Sequence, residues 1–203
     1  MATSVRVPPV VAVAPRGRPR SAEADRAINE ATLALLEEGG YRQLTMAGVA
    51  ERAGVSTATL YRRVSSKEDL VVGALASMVP DRPPVDTGSL AGDLTETLNR
   101  IAGTLGGSGG RLLLALSGET VRHPQLGEAV RTRLTAPFSD NLLAMLDRAV
   151  ARGEIPPLED PRLALNVVLG PLHYRLLVSD EPIGARVVAR LVPMLLRALG
   201  AFA

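Results

Sequence analysis

The 203-residue sequence contains no cysteine and no tryptophan, and it has only two phenylalanines and three tyrosines. Without cysteine the chain forms no disulfide bond, no thiolate metal site and no cysteine nucleophile. With so few aromatic rings, a ligand-binding cage of stacked aromatic side chains is not expected. The absence of cysteine fits the reducing cytoplasm, which is where we expect the protein to act.

Long apolar runs are also missing from the sequence. The longest charge-free apolar stretch in the C-terminal half, residues 163–174, is too short to cross a lipid bilayer. The apolar run at residues 7–11 is interrupted by two prolines, which makes it a poor signal-peptide core. We therefore expect no membrane partner. Residues 1–20 contain four arginines and no acidic residue, and we interpret them as a disordered basic tail.

Side chains suited to catalysis or metal binding are sparse. His123 and His173 are the only histidines, and a metal site would need both of them together with converging carboxylates. The glycine-rich residues 103–110 lack the G-x-x-x-x-G-K-[ST] order of a phosphate-binding loop. No serine lies in a recognisable nucleophile motif. The sequence therefore predicts no enzyme activity, no cofactor and no metal site.

The most informative segment is residues 45–70, which predicts three short helices in close succession. Thr45 and Ser56 are candidate N-caps of the first two helices, and Gly54 between them can adopt the left-handed conformation that ends a helix. Ser65 and Glu68 match a capping box, S-x-x-E, at the start of the third helix. Two short helices joined by a glycine turn are typical of the helix-turn-helix, whose second helix enters the major groove of DNA.

This segment resembles the DNA-binding domain of the TetR family of bacterial transcriptional repressors. The resemblance covers about fifty residues, 21–70, and its motifs are Gly40-Tyr41, Thr45, Ala53-Gly54-Val55-Ser56, Thr59-Leu60-Tyr61 and Ser66-Lys67-Glu68-Asp69-Leu70. Arg63 and Val64 stand where the family usually has His-Phe. The resemblance implies an all-α repressor with an N-terminal helix-turn-helix three-helix domain and a C-terminal helical ligand-binding and dimerisation domain.

Local composition divides the chain into two domains. Residues 21–79 are predicted to form the helix-turn-helix domain together with a connecting fourth helix, residues 65–79. Residues 80–88 are rich in proline and turn formers and lack an apolar period, which predicts a linker. Residues 89–203 are predicted to form the helical ligand-binding and dimerisation domain. Within it, residues 125–152 predict one long helix that is kinked at Pro137.

Candidate contacts to a double-stranded DNA operator lie on the helix-turn-helix and in the basic tail. The first turns of a recognition helix face base edges, and helix N-termini with nearby cations hold phosphates. The predicted base-edge residues are Thr57, Thr59 and Arg62, and the predicted phosphate residues are Thr45, Tyr61, Arg63 and Lys67, with Ser56 capping the recognition helix. Arg16 and Arg18, in the order R-G-R-P, together with Arg20, are either a minor-groove arm or part of a solvated tail.

The last two predicted helices, residues 162–179 and 183–199, are expected to form a homodimer. The last helix is apolar on more than one face, which is unusual at the surface of a monomer. The predicted interface residues are Val187, Val188, Leu191, Val192, Leu195, Leu196 and Leu199. A two-fold dimer also implies a palindromic operator whose half-sites lie about one helical turn apart.

A ligand pocket is predicted among the helices of the second domain. The candidate lining residues are Leu94, Leu98, Ile101, Leu113, Leu116, Ser117, Leu142 and Met145. Because these side chains are apolar apart from one hydroxyl, they predict a mostly apolar small-molecule effector. The alternative is a DNA-binding regulator without a small-molecule effector, acting as an architectural or protein-partnered factor. An open pocket would favour the first hypothesis, and a filled core would favour the second.

Overall fold

The computed structural model of the protein describes residues 19–79 and 82–201. Over these residues the chain forms helices joined by loops and contains no strand, which confirms the all-α prediction. No helix in the described ranges is both long enough and apolar enough to cross a membrane. Arg16 and Arg18 lie outside the described residues.

The first four helices form the predicted DNA-binding unit, residues 19–79, which we call the DNA module after that prediction. Its helices are α1 (Pro19–Gln43), α2 (Met46–Arg52), α3 (Thr57–Tyr61) and α4 (Lys67–Ser77). Pro19 and Arg20 belong to α1, so the tail predicted over residues 1–20 ends earlier than expected; proline suits the start of a helix because its φ is already helical. Gly40, with φ 68°, interrupts α1 at the predicted glycine stop.

Three hydroxyl side chains cap the helices of the DNA module. Thr45 and Ser56 accept hydrogen bonds from backbone N–H groups three residues ahead, which confirms both predicted N-caps. Gly54, with φ 66°, makes the turn between α2 and α3. The capping box at Ser65 is wrong by one residue, because Ser66 has the extended backbone of an N-cap and accepts from the Asp69 N–H at 3.0 Å. The two adjacent serines are equivalent in local sequence, and only the chain path distinguishes them.

The remaining helices belong to the predicted ligand-binding and dimerisation domain, which we call the regulatory part. They are α5 (Leu90–Leu105), α6 (Ser108–Arg122), α7 (Pro124–Val130), a π-helical turn (Arg131–Thr135), α8 (Ala136–Ala151), α9 (Pro161–Leu177) and α10 (Ala185–Ala198). The single helix predicted over residues 125–152 is therefore divided, and its irregularity lies before Pro137. Pro137 has no N–H to donate, and the turn preceding it follows the π pattern, with the Ala136 N–H bonded to the Arg131 carbonyl.

Buried apolar side chains form two separate cores. One lies among α5, α8, α9 and α10 and includes Leu94, Leu98 and Leu172. The other lies inside the DNA module, but it also includes Leu116 from α6 and Leu126 from α7. The helices α6 and α7 are thus packed against α1 and α4, and their position is directly coupled to that of the DNA module.

The predicted dimer face on α10 is mostly wrong, because its residues are buried within the chain itself. Val188, Leu191, Val192, Leu195 and Leu199 belong to the core of the regulatory part, and Val187 and Leu196 pack against that core. The outward side of α10 carries arginines, alanines, Pro193 and the exposed Met194 instead. Periodicity identified an apolar helix face correctly but could not tell whether its own chain or a second copy covers it.

The segment between the DNA module and α5 is fastened by a buried carboxylate. Asp93 of α5 is fully buried and accepts hydrogen bonds from the Thr87 N–H at 2.6 Å and the Thr87 hydroxyl at 2.8 Å. Arg152, which follows the last residue of α8, approaches the same carboxylate at 3.4 Å, and Arg148 of α8 donates to the Val85 carbonyl at 2.6 Å. A buried carboxylate persists only when it is paired in this way, so residues 85–87 are held firmly against α5 and α8.

Candidate nucleic-acid interface

The recognition helix α3 buries one residue and exposes most of the others. Leu60 is fully buried in the core of the DNA module, and it fixes the helix by its apolar side. Thr57, Tyr61 and Arg62 are exposed, with Tyr61 at 58%. Hydroxyl and guanidinium groups are suited to hydrogen bonding with base edges and phosphates. The exposed side of α3 therefore presents hydrogen-bonding groups that can contact DNA, while Leu60 on the other side holds the helix in the core.

Two predicted contact residues also organise α3 internally. The Ser56 hydroxyl accepts from the Thr59 N–H at 3.1 Å, which makes it a structural cap. The Thr59 hydroxyl lies 2.9 Å from the Ser56 hydroxyl and accepts from Arg62 Nη2 at 3.1 Å. Thr59 thus orients the Arg62 guanidinium. This bond follows from the i, i+3 spacing on a helix and could have been found in the sequence.

The predicted phosphate residues surround α3 at the ends of neighbouring elements. Thr45 caps α2, where its hydroxyl accepts from the Gly48 N–H at 3.1 Å. Arg63 pairs through Nη1 with Asp25 Oδ1 of α1 at 2.5 Å, which ties the end of the recognition helix to α1. Sequence reasoning missed Asp25, because no local spacing connects it with Arg63. Lys67 lies at the first turn of α4 and is partly buried.

A polar cluster behind Lys67, which we call the Tyr41 cluster, joins the DNA module to α6 and α7. Lys67 Nζ lies 4.2 Å from the centroid of the Tyr41 ring, a cation–π arrangement. The Tyr41 hydroxyl donates to Glu68 Oε1 at 2.6 Å. The Tyr41 ring also contacts the His123 ring, with centroids 5.0 Å apart, and His123 Nε2 lies 3.1 Å from Glu119 Oε2. The cluster consists of these five residues.

Burial and charge perturb the ionisable groups of the Tyr41 cluster. Burial, followed by the hydrogen bond to Glu68, raises the pKa of Tyr41 far above its usual range. The hydrogen bond from Tyr41 lowers the pKa of the Glu68 carboxyl. Burial lowers the pKa of Lys67, and the charges of Glu68 and Glu119 act in the opposite direction. The sequence alone gave His123 no role beyond ending a helix, because these contacts join residues far apart in the chain.

The predicted ligand residues do not converge on one place. Leu94, Leu98, Leu142 and Met145 are buried together in the core of the regulatory part, and Ile101 packs against them. Leu116 lies in the core of the DNA module, Leu113 is partly buried, and the Ser117 hydroxyl donates to the Leu114 carbonyl at 2.7 Å. Three of the eight predicted residues are therefore separated from the other five.

Two depressions in the described parts of the chain are open surface grooves. One, of about 480 Å³, lies between the start of α4 and the π-helical turn and includes Asp69 and Arg133. The other, of about 260 Å³, lies between the start of α9 and the end of α10 and includes Leu163 and Leu199. Neither groove is lined by the predicted ligand residues. Within the described residues, no three histidine or acidic side chains converge to hold a metal ion.

Comparison with known proteins agrees with this architecture. Residues 28–74 match the family model of bacterial regulatory proteins of the tetR family, and residues 84–195 match that of the tetracyclin repressor-like C-terminal domain. The uncharacterized HTH-type transcriptional regulator YdeS of Bacillus subtilis is 33% identical over 178 residues, covering 87% of this chain and 90% of its own. The DNA-binding transcriptional repressor TetR of Mycobacteroides abscessus is 32% identical over 181 residues, covering 87% and 92%.

Solved structures show the same arrangement of helices. The TetR family transcription regulator SCO0332 superposes with a TM-score of 0.66 at 30% identity, covering 86% of this chain and 97% of its own. The regulator FadR from Bacillus subtilis, solved in complex with stearoyl-CoA, superposes with a TM-score of 0.64 at 18% identity, covering 84% and 97%. The fold and the exposed recognition helix define a helix-turn-helix transcription regulator. The chain belongs to the TetR family, whose members are DNA-binding regulators and not enzymes.

Proposed function

We propose that the protein is a homodimeric repressor that binds a palindromic operator with α3 in the major groove. The observation that carries this proposal is the division of α3 into a buried anchor, Leu60, and an exposed polar side that includes Thr57 and Arg62. A recognition helix needs both, because it must be held rigidly while it presents donors and acceptors to base edges. Such a regulator acts on DNA in the cytoplasm.

Each DNA contact follows from where the side chain lies. Arg62 and Thr57 approach base edges, and Thr59 contributes mainly by orienting Arg62. Thr45 and Lys67 lie at the N-termini of α2 and α4, where helix dipoles and free N–H groups favour phosphate oxygens. Tyr61, Ser56 and Arg63 complete the phosphate-facing set, and Arg16 and Arg18 extend it into a neighbouring minor groove.

The dimer proposed here uses the outward faces of α9 and α10. Apolar side chains recur on the exposed side of α9 and continue at one position of α10: Leu163 (58% exposed), Val167 (40%), Tyr174 (61%), Leu177 (40%) and Met194 (59%). An exposed apolar patch of this kind favours an interface with a second copy. Two helices from each subunit then form a four-helix interface, which places the two recognition helices symmetrically.

The effector, on this proposal, is a mostly apolar small molecule that enters between α5 and α8. Leu94, Leu98, Leu142 and Met145 line this region and fill it in the described structure, so a ligand must displace them. FadR, a regulator of the same fold, was crystallised with stearoyl-CoA, which supports an apolar or acyl-chain ligand. A ligand releases DNA only when it prefers the non-binding conformation, and a shift from 99:1 to 1:99 requires about 5.5 kcal/mol.

The second candidate function is a DNA-binding regulator without a small-molecule effector. The filled core supports it, because the five convergent pocket candidates are packed against one another. The two candidates differ in one testable respect. A thermal-shift screen of apolar metabolites and acyl-CoA esters, followed by operator-binding assays, should yield a compound that stabilises the protein and weakens operator binding. If every stabilising compound leaves operator affinity unchanged, the regulator without an effector is the correct function.

A further inference from the structure

One aromatic ring in the DNA module carries contacts from two basic side chains. The Lys67 ammonium lies 4.2 Å from the centroid of the Tyr41 ring, and the imidazole of His123 lies 5.0 Å from the same centroid. Lys67 belongs to the first turn of α4, next to the recognition helix, whereas His123 joins α6 to α7. The Tyr41 cluster therefore places an imidazole close to a proposed phosphate ligand.

Charged side chains from α6 and α4 surround the His123 imidazole and the Tyr41 ring beside it. From α6, Glu119 Oε2 lies 3.1 Å from His123 Nε2, and Glu119 Oε1 lies 3.1 Å from Arg122 Nη1. The Glu119 side chain is only 12% exposed, so water screens its charge weakly. From α4, Lys67 and Glu68 reach the Tyr41 ring and its hydroxyl. His123 is the one histidine of the Tyr41 cluster, and histidine is the residue type used in proteins as a proton-linked switch near neutral pH.

We propose that His123 is a proton-linked modulator of operator affinity. Protonation of its imidazole strengthens the contact between the Lys67 ammonium and a DNA phosphate. With His123 neutral, the Glu119 carboxylate attracts the Lys67 ammonium and repels an approaching phosphate. Protonation pairs Glu119 with an imidazolium, offsets that repulsion and adds one positive charge to the cluster that contains Lys67. The proposal rests on the placement of Lys67 at a phosphate in the proposed function.

Thermodynamic linkage fixes the direction of the effect. If protonation of His123 strengthens operator binding, then operator binding must favour protonation of His123 by the same factor. Operator affinity is therefore higher at pH 6 than at pH 8. One additional unit charge near a phosphate contact at a protein surface changes affinity by about two- to fivefold.

The experiment compares three proteins at two pH values. The probe is a duplex carrying the inverted repeat that the purified protein selects from random-sequence DNA, and the dissociation constant is measured at pH 6.0 and 8.0 at fixed ionic strength. The variants are His123→Gln and the matched control His173→Gln, which alters the only other histidine, exposed on α9. Light scattering confirms the same oligomeric state for all three proteins at both pH values.

Wild type and His173→Gln should bind two- to fivefold more tightly at pH 6.0 than at pH 8.0, whereas His123→Gln should bind equally at both. A His123→Gln variant that keeps the wild-type pH dependence would overturn the proposal. Equal wild-type binding at both pH values would overturn the proton linkage and leave the proposed function intact. Absence of selective binding by wild type at both pH values would overturn operator recognition, and this proposal with it.

A second measurement does not depend on any variant. Because the chain has two histidines, proton NMR resolves two imidazole titrations. Addition of the operator duplex should raise the titration midpoint of the His123 signal and leave that of His173 in place. Identical midpoints for His123 with and without DNA would contradict the proposal.

Discussion

The Tyr41 hydroxyl donates a hydrogen bond of 2.6 Å to the Glu68 carboxylate, so the end of α1 is fastened to the first turn of α4. Tyr41 is 5% exposed and packs in the core of the DNA module. The same ring supports Lys67. One side chain thereby sets the position of the α4 N-terminus, with Lys67 as the proposed phosphate ligand, relative to the rest of the DNA module.

Replacing Tyr41 with Phe should lower the free energy of unfolding by about 1–2 kcal/mol, because it removes a hydrogen bond to a charged group in a partly buried site. Urea unfolding at pH 7 measures the loss. The matched control is Tyr61→Phe, the same change at an exposed side chain of α3, which should leave stability unchanged. Equal stability of Tyr41→Phe and wild type would show that the bond contributes nothing.

The Tyr41→Phe effect should also depend on pH. The hydrogen bond lowers the pKa of Glu68 in the folded state, so its stabilisation is present above the unfolded pKa of about 4.3 and is lost as the pH falls through the lower folded value. The difference between the two proteins should therefore shrink when unfolding is measured in acid. A difference that stays constant down to pH 3 would mean that Glu68 is not the acceptor.

Replacing Arg62 with Ala should weaken operator binding by about 1–3 kcal/mol and relax base preference at one position. Lys67→Ala should instead weaken binding to all sequences alike and lower the salt slope by about one. The control is Arg52→Ala, which replaces an exposed arginine of the same module that pairs with Glu38. The operator affinity of this variant should equal that of the wild type. Normal operator binding by Arg62→Ala would refute the base-contact assignment.

Removing residues 1–18 should reduce operator affinity and the salt slope, because Arg16 and Arg18 are lost from the proposed minor-groove arm. The truncation ends before Pro19, so it leaves α1 intact. The melting temperature should not change. Operator affinity that is unaffected in moderate salt would identify these residues as a solvated tail.

Replacing Leu163 with Glu should convert the dimer to a monomer in light scattering at micromolar concentration, because it buries a charge in the proposed α9 face. Val121→Glu is the matched control, since Val121 is 82% exposed on α6. The Leu163→Glu monomer can contact only one half-site, so its operator binding should be about a hundredfold weaker than that of the wild-type dimer. A wild-type chain that is monomeric at that concentration would end the dimer proposal.

Sequence reasoning succeeded where the determining interactions are local. The caps at Thr45 and Ser56 and the turn at Gly54 depend on residues within one helical turn, and all three are present in the structure. The cap of α4 was displaced by one residue because Ser65 and Ser66 look alike in sequence.

The errors and omissions concern contacts between distant parts of the chain. Arg63 with Asp25, and Tyr41 with His123, meet only after the helices have packed, so no spacing rule could find them. An apolar helix face such as that of Leu191 on α10 is predictable from its period, but the surface that covers it is a tertiary property.

Operator recognition is tested most sharply by selecting binding sites for the purified wild-type protein from random double-stranded DNA in about 150 mM salt and footprinting the enriched duplex. The expected result is an inverted repeat with half-sites about one helical turn apart, protected by a dimer, and a repeat with relaxed base preference at one position of each half-site when Arg62→Ala is used instead. Enrichment of no sequence above the starting pool, or of a site without two-fold symmetry, would contradict it.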